Sequence, residues 1–377
     1  MTKQSLQDRF NEKAVLMLKE VLSGLLSKQI SSGFDKGLFS HFNRVRIKDS
    51  TRFALPESYA CQYKGYGGVT HNSASMISIQ CEYDLLSGKT MDLRLTNGLC
   101  NDQSDSRDFT NQVERADLFI RDLGYCTIDY MSRLSEKGAY FLNRLTPKVK
   151  VYYADESDRE LDIKHCLKRL KRHGLPYLEY QVLIGKTAKL PARLVISSVD
   201  QSTYEKRMRK VRKQARSYGH QTSDEFRSRA KANLFVTNAP VENLSTKQVQ
   251  PAYSLRWQIE LIFKIWKSQA NINNLKEVKI HRFECQLLGQ IIWLLLHWKL
   301  YWWLNLYINS KNKEILCSPW KYYKCAYRLT HKLRGVANQL IKPKELIGLL
   351  TKIPIDLIKL EKKRNSYNHI YLFLTLN

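Results

Sequence analysis

Apolar residues recur at helical spacing from about Ser5 to Lys28 (Val15, Leu18, Val21, Leu22, Leu25, Leu26), which predicts a short helical lead-in. The period then shortens. Arg44-Val-Arg-Ile-Lys48 reads as a strand that delivers Asp49 at its end, followed by Ser50 and Thr51. Met76–Tyr83 and Met91–Leu95 alternate apolar and polar positions around Ser87-Gly88-Lys89, the pattern of a hairpin. A helical segment around Arg107–Ala116 leads into Leu118-Phe-Ile-Arg-Asp122-Leu-Gly-Tyr125, a short apolar strand closed by an acid and a glycine turn. A helix over about Thr127–Lys137 and a strand over Ala139–Leu145 follow. The predicted order is strand, strand, strand, helix, strand, helix, strand.

Beyond Leu145 the pattern turns strand-like, with runs at Leu178–Ile184 and Arg193–Ser198, and then strongly basic in a predicted helix from Tyr204 to about Tyr218. We read residues 146–232 as an insertion. Asn233-Leu-Phe-Val-Thr237 is a further strand, and nearly everything from Pro251 onward is helical in pattern, with no internal repeat. The apolar stretch Leu287–Ile308 carries Gln290, His297, Lys299 and Asn305, which are costly at bilayer depth, so it reads as a buried core helix and no membrane partner is expected. His297 and the tryptophans Trp293, Trp298, Trp302 and Trp303 are expected in the core.

Composition adds a partner. The 377 residues include 43% hydrophobic positions, enough to bury a sizeable core. Against 35 Asp and Glu stand 62 Lys and Arg, a formal net charge of +27. A field of that sign draws polyanions, and because the cations are spread along the whole chain, nucleic acid is a better fit than a membrane surface. In the basic helix, Arg209, Lys210, Arg212 and Lys213 have almost no acids to balance them and are expected to contact DNA phosphates. Lys164, Lys168, Arg169, Lys171 and Arg172 form a second cluster. The eight cysteines show no C-x-x-C pair and no tight spacing with histidine. With no signal peptide at the N-terminus, they read as reduced thiols of a cytoplasmic protein.

Candidate chemistry concentrates in Tyr253-Ser-Leu-Arg-Trp-Gln-Ile-Glu-Leu-Ile-Phe-Lys-Ile-Trp-Lys267. On one continuous helix turning about 100° per residue, Tyr253, Arg256, Glu260 and Lys267 fall within an arc of roughly 60°. Leu255, Ile259, Ile262 and Trp266 line the opposite side and supply a docking stripe. Out of context, the same segment is an ordinary amphipathic helix with an Arg256–Glu260 pair of small energetic weight.

The spacing Tyr-x2-Arg-x3-Glu-x6-Lys resembles the signature of transposases of the bacterial insertion-sequence-four family. Asp49 after a first core strand, and Asp122 before Leu-Gly-Tyr125, agree with the positions of that family's first two catalytic acids. The resemblance implies a ribonuclease H-like α/β core with a β-rich insertion before the Glu-bearing helix and a helical C-terminal region. It divides the chain into a lead-in (1–43), a first core part (44–145), the insertion (146–232), a second core part (233–310) and a helical end (311–377). It implies that Asp49, Asp122 and Glu260 hold two Mg2+ ions, with Mn2+ able to substitute, and cut and rejoin DNA. Cleaving a phosphodiester and attacking with the freed 3′-hydroxyl needs charge neutralised at both the entering and leaving oxygens, which two hard cations about 4 Å apart provide. Arg256 and Lys267 would then bind phosphates and Tyr253 would meet the DNA end. The implied partners are double-stranded DNA, as element ends and as target, and a second copy of the chain in a homodimeric DNA complex in the bacterial cytoplasm, associated with the nucleoid. The family usually carries a sizeable helical domain before the first Asp, so the 48 residues here imply a reduced end-recognition domain or a start at an internal Met. Rival readings are a metal-dependent nuclease on the same fold and a truncated DNA-binding inhibitor of transposition.

Overall fold

The computed structural model describes residues 3–27, 39–67, 74–100, 112–125, 127–145, 149–155, 158–219, 223–312 and 315–360. In chain order its elements begin with α1 (Lys3–Asp8), α2 (Glu12–Ser27), β1 (Val45–Ala54), β2 (Met76–Asp84), β3 (Thr90–Asn97) and β4 (Leu118–Arg121). There follow α3 (Ile128–Glu136), β5 (Tyr140–Arg144), β6 (Val151–Tyr153), α4 (Ile163–His173), β7 (Leu178–Ile184), β8 (Leu190–Ser198), α5 (Gln201–Tyr218), α6 (Asp224–Arg229) and β9 (Ala232–Thr237). The last elements among the described residues are α7 (Thr246–Ser254), α8 (Trp257–Gln269), α9 (Ile280–Lys311), α10 (Pro319–Ala337), α11 (Pro343–Thr351) and α12 (Ile355–Ile358). The fold divides into two units, residues 37–48 with 101–256, and residues 1–36 with 49–100 and 257–376.

The unit built from 37–48 and 101–256 is organised on a mixed sheet. Val45 to Lys48 of β1 pair in parallel with β4, and β4 pairs in parallel with β5. β9 runs antiparallel to β5 and the order continues β8, β7, β6, all antiparallel. Two helices cover this sheet for reasons visible in their sequences. In α3 the Thr127 side chain accepts from the Tyr130 N–H, and Tyr130, Met131 and Leu134 turn inward. In α4 Asp162 caps the first turn, Ile163, Cys166 and Leu170 point inward, and Gly174 ends the helix in the left-handed region. Their inward residues join Phe119, Phe141, Val182, Leu194, Ile196 and Val236 in one apolar core. Among its described residues, the segment 146–232 holds three helices (α4, α5 and α6) beside the strands β6, β7 and β8.

The other unit carries the second half of β1 with the β2/β3 hairpin, in the order β3-β2-β1. Its turn requires glycine, since Gly88 has φ +67° and a Cβ there would meet the Trp302 ring at 2.6 Å. α9, 32 residues long, buries Leu287, Leu288, Ile291, Leu294, Leu295, Leu304 and Ile308, as the Leu287–Ile308 stretch led us to expect of a core helix. Trp293 donates to Thr330 Oγ1 at 2.9 Å, and Trp298 to the Gly88 carbonyl at 3.1 Å. His297 lies 3.3 Å from the Tyr322 hydroxyl, and burial pulls its pKa down to about 4, so it is a neutral core residue at neutral pH. Among the described residues, no helix is long and apolar enough to cross a membrane.

The lead-in comprises, among the described residues, the two helices α1 and α2 with Arg9–Asn11 between them. Two expectations are corrected. Strand β1 does not end at Asp49 but runs on to Ala54. The helix expected around Arg107–Ala116 falls outside the described residues up to 111, and Gln112 to Ala116 form no α-helix.

Candidate active site

Asp122 directly follows Arg121, the last residue of β4 in register with β1, and it is half-buried. Its position in the chain is set by a short parallel strand whose residues Leu118, Phe119, Ile120 and Arg121 are all buried, so the acid is the first residue released from the ladder. Tyr253 donates its hydroxyl to Asp122 Oδ1 at 3.2 Å. Among the described residues, this is the side-chain hydrogen bond that the Asp122 carboxylate makes. Asp117, at the opposite end of β4, is occupied quite differently. It is fully buried and gripped by Arg44 through Nε at 2.7 Å and Nη2 at 2.5 Å, with Arg46 at 3.7 Å.

Asp49 lies inside β1, directly after Lys48, the register partner of Arg121. It is half-buried, and its Oδ1 accepts the Ser50 N–H at 2.8 Å. Glu260 lies in the first turn of α8 and is half-buried. The stripe expected behind it is present, with Ile259, Ile262 and Trp266 buried. Lys267, in the last turn of α8, donates to the Arg52 carbonyl of β1 at 3.1 Å, and its burial lowers its pKa.

The single helix expected for Tyr253, Arg256, Glu260 and Lys267 is in fact two. α7 ends at Ser254 and α8 begins at Trp257. At the break the Leu255 and Arg256 N–H groups reach back three residues, to the carbonyls of Ala252 and Tyr253, instead of four. Tyr253 and Arg256 belong to one unit and Glu260 and Lys267 to the other. Sequence periodicity missed this break because Leu255 is buried, which keeps the apolar stripe continuous across it.

On α5, Arg209, Arg212 and Lys213 are exposed, while the side chain of Lys210 lies outside the described part. Arg207, on the same helix, has a structural task. It donates to the carbonyls of Ala230 and Ala232 and to Asn233 Oδ1, and burial first, then Arg144, pulls its pKa down to about 10.

The donors expected from the sequence, Asp49, Asp122 and Glu260, are hard carboxylate oxygens. Such a set suits Mg2+ or Mn2+ better than a thiolate-seeking metal. Among the described residues, no group of three His, Cys, Asp or Glu is near enough together to hold a metal ion. The sequence model of a family described as "Transposase DDE domain" matches residues 40–296 of the 377. The chain belongs to the DDE transposase family.

Individual transposases agree. The chain is 31% identical over 371 residues to the transposase for insertion sequence element IS231F of Bacillus thuringiensis subsp. israelensis, covering 94% of this chain and 76% of that one. To the transposase for IS231B of B. thuringiensis subsp. berliner it is 29% identical over 387 residues, 98% of this chain and 79% of the relative. To that for IS1151 of Clostridium perfringens it is 31% identical over 315 residues, 78% and 65%. The protein is thus an insertion-sequence transposase, an enzyme that cleaves DNA and transfers strands, and its chemistry depends on divalent metal. Tyr253's bond to Asp122 is what the sequence reading of this transposase missed. No local pattern signals a pairing across 131 residues.

Proposed function

We propose that Asp49, Asp122 and Glu260 are the catalytic carboxylates of this transposase, binding two Mg2+ ions for which Mn2+ can substitute. The observation that carries the reading is the family match over 40–296, a span containing all three acids and the whole Tyr-Arg-Glu-Lys signature. It is supported by the half-burial of each acid, which leaves carboxylate surface for a ligand. On this reading the fold around them is a ribonuclease H-like core interrupted by the 146–232 insertion, and the chain acts as a homodimer on two element ends and a target duplex at the bacterial nucleoid. The metal ions, when bound, stabilise charge on the attacking and leaving oxygens of an in-line displacement. The chain's own residues hold and orient the phosphates.

Arg256 and Lys267 are assigned to phosphates flanking the cut. Tyr253 is assigned a different partner, because its hydroxyl donates to Asp122. Misplacing a scissile phosphate by about 1 Å costs roughly a hundredfold in rate. Arg256→Ala and Lys267→Ala are therefore each expected to slow cleavage and joining by roughly that factor, and Arg256→Lys to restore little, since an ammonium lacks the planar fork. The test is a strand-transfer assay with paired ends and a target plasmid, in Mg2+, Mn2+ or EDTA. The parent should join ends in either metal and form no product in EDTA. Cutting without joining would reduce the proposal to a nuclease, and joining at parental rates by both Ala variants would remove the phosphate assignment.

Helix α5 is assigned to the DNA backbone. Replacing Arg209, Lys210, Arg212 and Lys213 together by Ala should weaken binding to all duplexes about equally. It should also flatten the plot of log affinity against log salt, by roughly 0.9 for each phosphate that is no longer neutralised. An unchanged slope would leave the α5 cations facing solvent.

A further inference from the structure

The hydroxyl of Tyr253 is held where it is by a closed frame within one unit. β4 delivers Asp122, β4 pairs with β5, and β5 pairs with β9. On β9, Phe235 packs its ring 5.1 Å from that of Tyr253, tilted by 52°. Tyr253 stands in the last turn of α7, whose Val249 and Ala252 are buried and whose start is fixed by a capping box between Ser245 and Gln248. The chain from Asp122 through β5, β9 and α7 thus returns to Asp122, and the link that closes it is the 3.2 Å bond to Oδ1.

We propose that Tyr253 is a positioning residue for Asp122, fixing its carboxylate through Oδ1 in the orientation in which it would hold a divalent metal ion. This rests on the reading of Asp122 as a metal ligand. A carboxylate rotates readily about its last torsion, and Mg2+ tolerates little departure from octahedral geometry, so a ligand that must first be oriented binds more weakly. A phenol is suited to the task. It donates one hydrogen bond without bringing a positive charge, so the carboxylate keeps its negative charge for the cation. A Lys or Arg in the same place would compete with the metal for that charge. The first residue of the signature therefore acts on the acid from the protein side, and the phosphate work is left to Arg256 and Lys267.

The test is Tyr253→Phe, which keeps the ring against Phe235 and removes only the hydroxyl, with Asp122→Asn as its partner. Mn2+ binding to the full chain saturated with duplex DNA is followed by electron paramagnetic resonance, DNA affinity is measured in EDTA, and cleavage is measured against Mg2+ concentration. Loss of an outer hydrogen bond to a metal ligand weakens affinity by roughly ten to a hundredfold. Tyr253→Phe should raise the half-saturating Mn2+ and the half-maximal Mg2+ by that factor. It should recover most of kcat at saturating metal, with melting temperature and DNA affinity in EDTA at parental values. An unchanged Mn2+ titration in Tyr253→Phe beside a lost one in Asp122→Asn overturns this proposal alone. If DNA affinity in EDTA falls as well in that case, the hydroxyl belongs to DNA. A parental Mn2+ titration in Asp122→Asn overturns the underlying assignment of Asp122.

Discussion

Alanine at Asp49, Asp122 or Glu260 is expected to abolish cleavage and joining while leaving duplex binding close to parental. On the proposed assignment each substitution removes a hard oxygen donor for the metal, and metal stabilisation of a phosphoryl transition state is worth several kcal/mol. At about 1.4 kcal/mol per decade, that is a loss of roughly a thousandfold or more. Binding survives for a separate reason: affinity for the duplex comes from cations on phosphates, of which this chain has a large excess, and deleting an acid adds no repulsion. Pairs of substitutions should be hardly worse than single ones, because residues that build one site fail as a unit. Single-turnover cleavage and gel-shift titrations of the three single and three double variants decide it. Parental cleavage by any one variant removes that acid from the site. A loss of binding parallel to the loss of cleavage would show instead that the substitution damages the fold.

Local structure was well legible wherever the signal was itself local. The β2/β3 hairpin was readable from its alternation and from Gly88, and the boundaries of α3 from Thr127 at its cap. Helix α4 was just as legible and was overlooked. Asp162 at its cap, Ile163, Cys166 and Leu170 on one face and Gly174 at its end are the ordinary signs of a helix, hidden behind the charge of Lys164, Lys168 and Arg169. Asp49 and Asp122 were legible as acids next to apolar strands, but only the parallel register of Lys48 with Arg121 shows that each follows a paired residue. The break between α7 and α8 was not legible, since an amphipathic period survives a single tightened turn. Long-range polar pairs were least accessible of all. Neither Arg44 with Asp117 nor Tyr253 with Asp122 leaves a mark in any window of the sequence, because the partners meet only once the sheet is formed.

That distinction separates two acids only five residues apart in sequence. Asp117 and Asp122 bound the same strand, yet alanine at Asp117 is expected to unfold what alanine at Asp122 merely inactivates. The Asp117 carboxylate has no exposed surface, and neither has the Arg46 side chain beside it. Arg44 adds a two-pronged grip, and the Glu114 N–H donates to Oδ2 at 3.0 Å. Arg46 is held further by the Gln112 carbonyl at 2.6 Å and by the Phe119 ring at 4.8 Å, so it cannot swing out to water when its anion is removed. Removing one partner of such a buried pair strands the other charge, at a cost of roughly 3–5 kcal/mol. A half-buried carboxylate with one neutral hydrogen bond costs only about 1 kcal/mol when deleted. Denaturant unfolding of the two variants should therefore differ by roughly 2–4 kcal/mol, with Asp117→Ala the weaker. Asp117→Asn should fall with Asp117→Ala, because the amide keeps the shape but not the charge that Arg44 and Arg46 face. If Asp117→Ala unfolds at the parental midpoint yet fails to cleave DNA, the roles are exchanged, and Asp117 must be placed in the active site instead of Asp122.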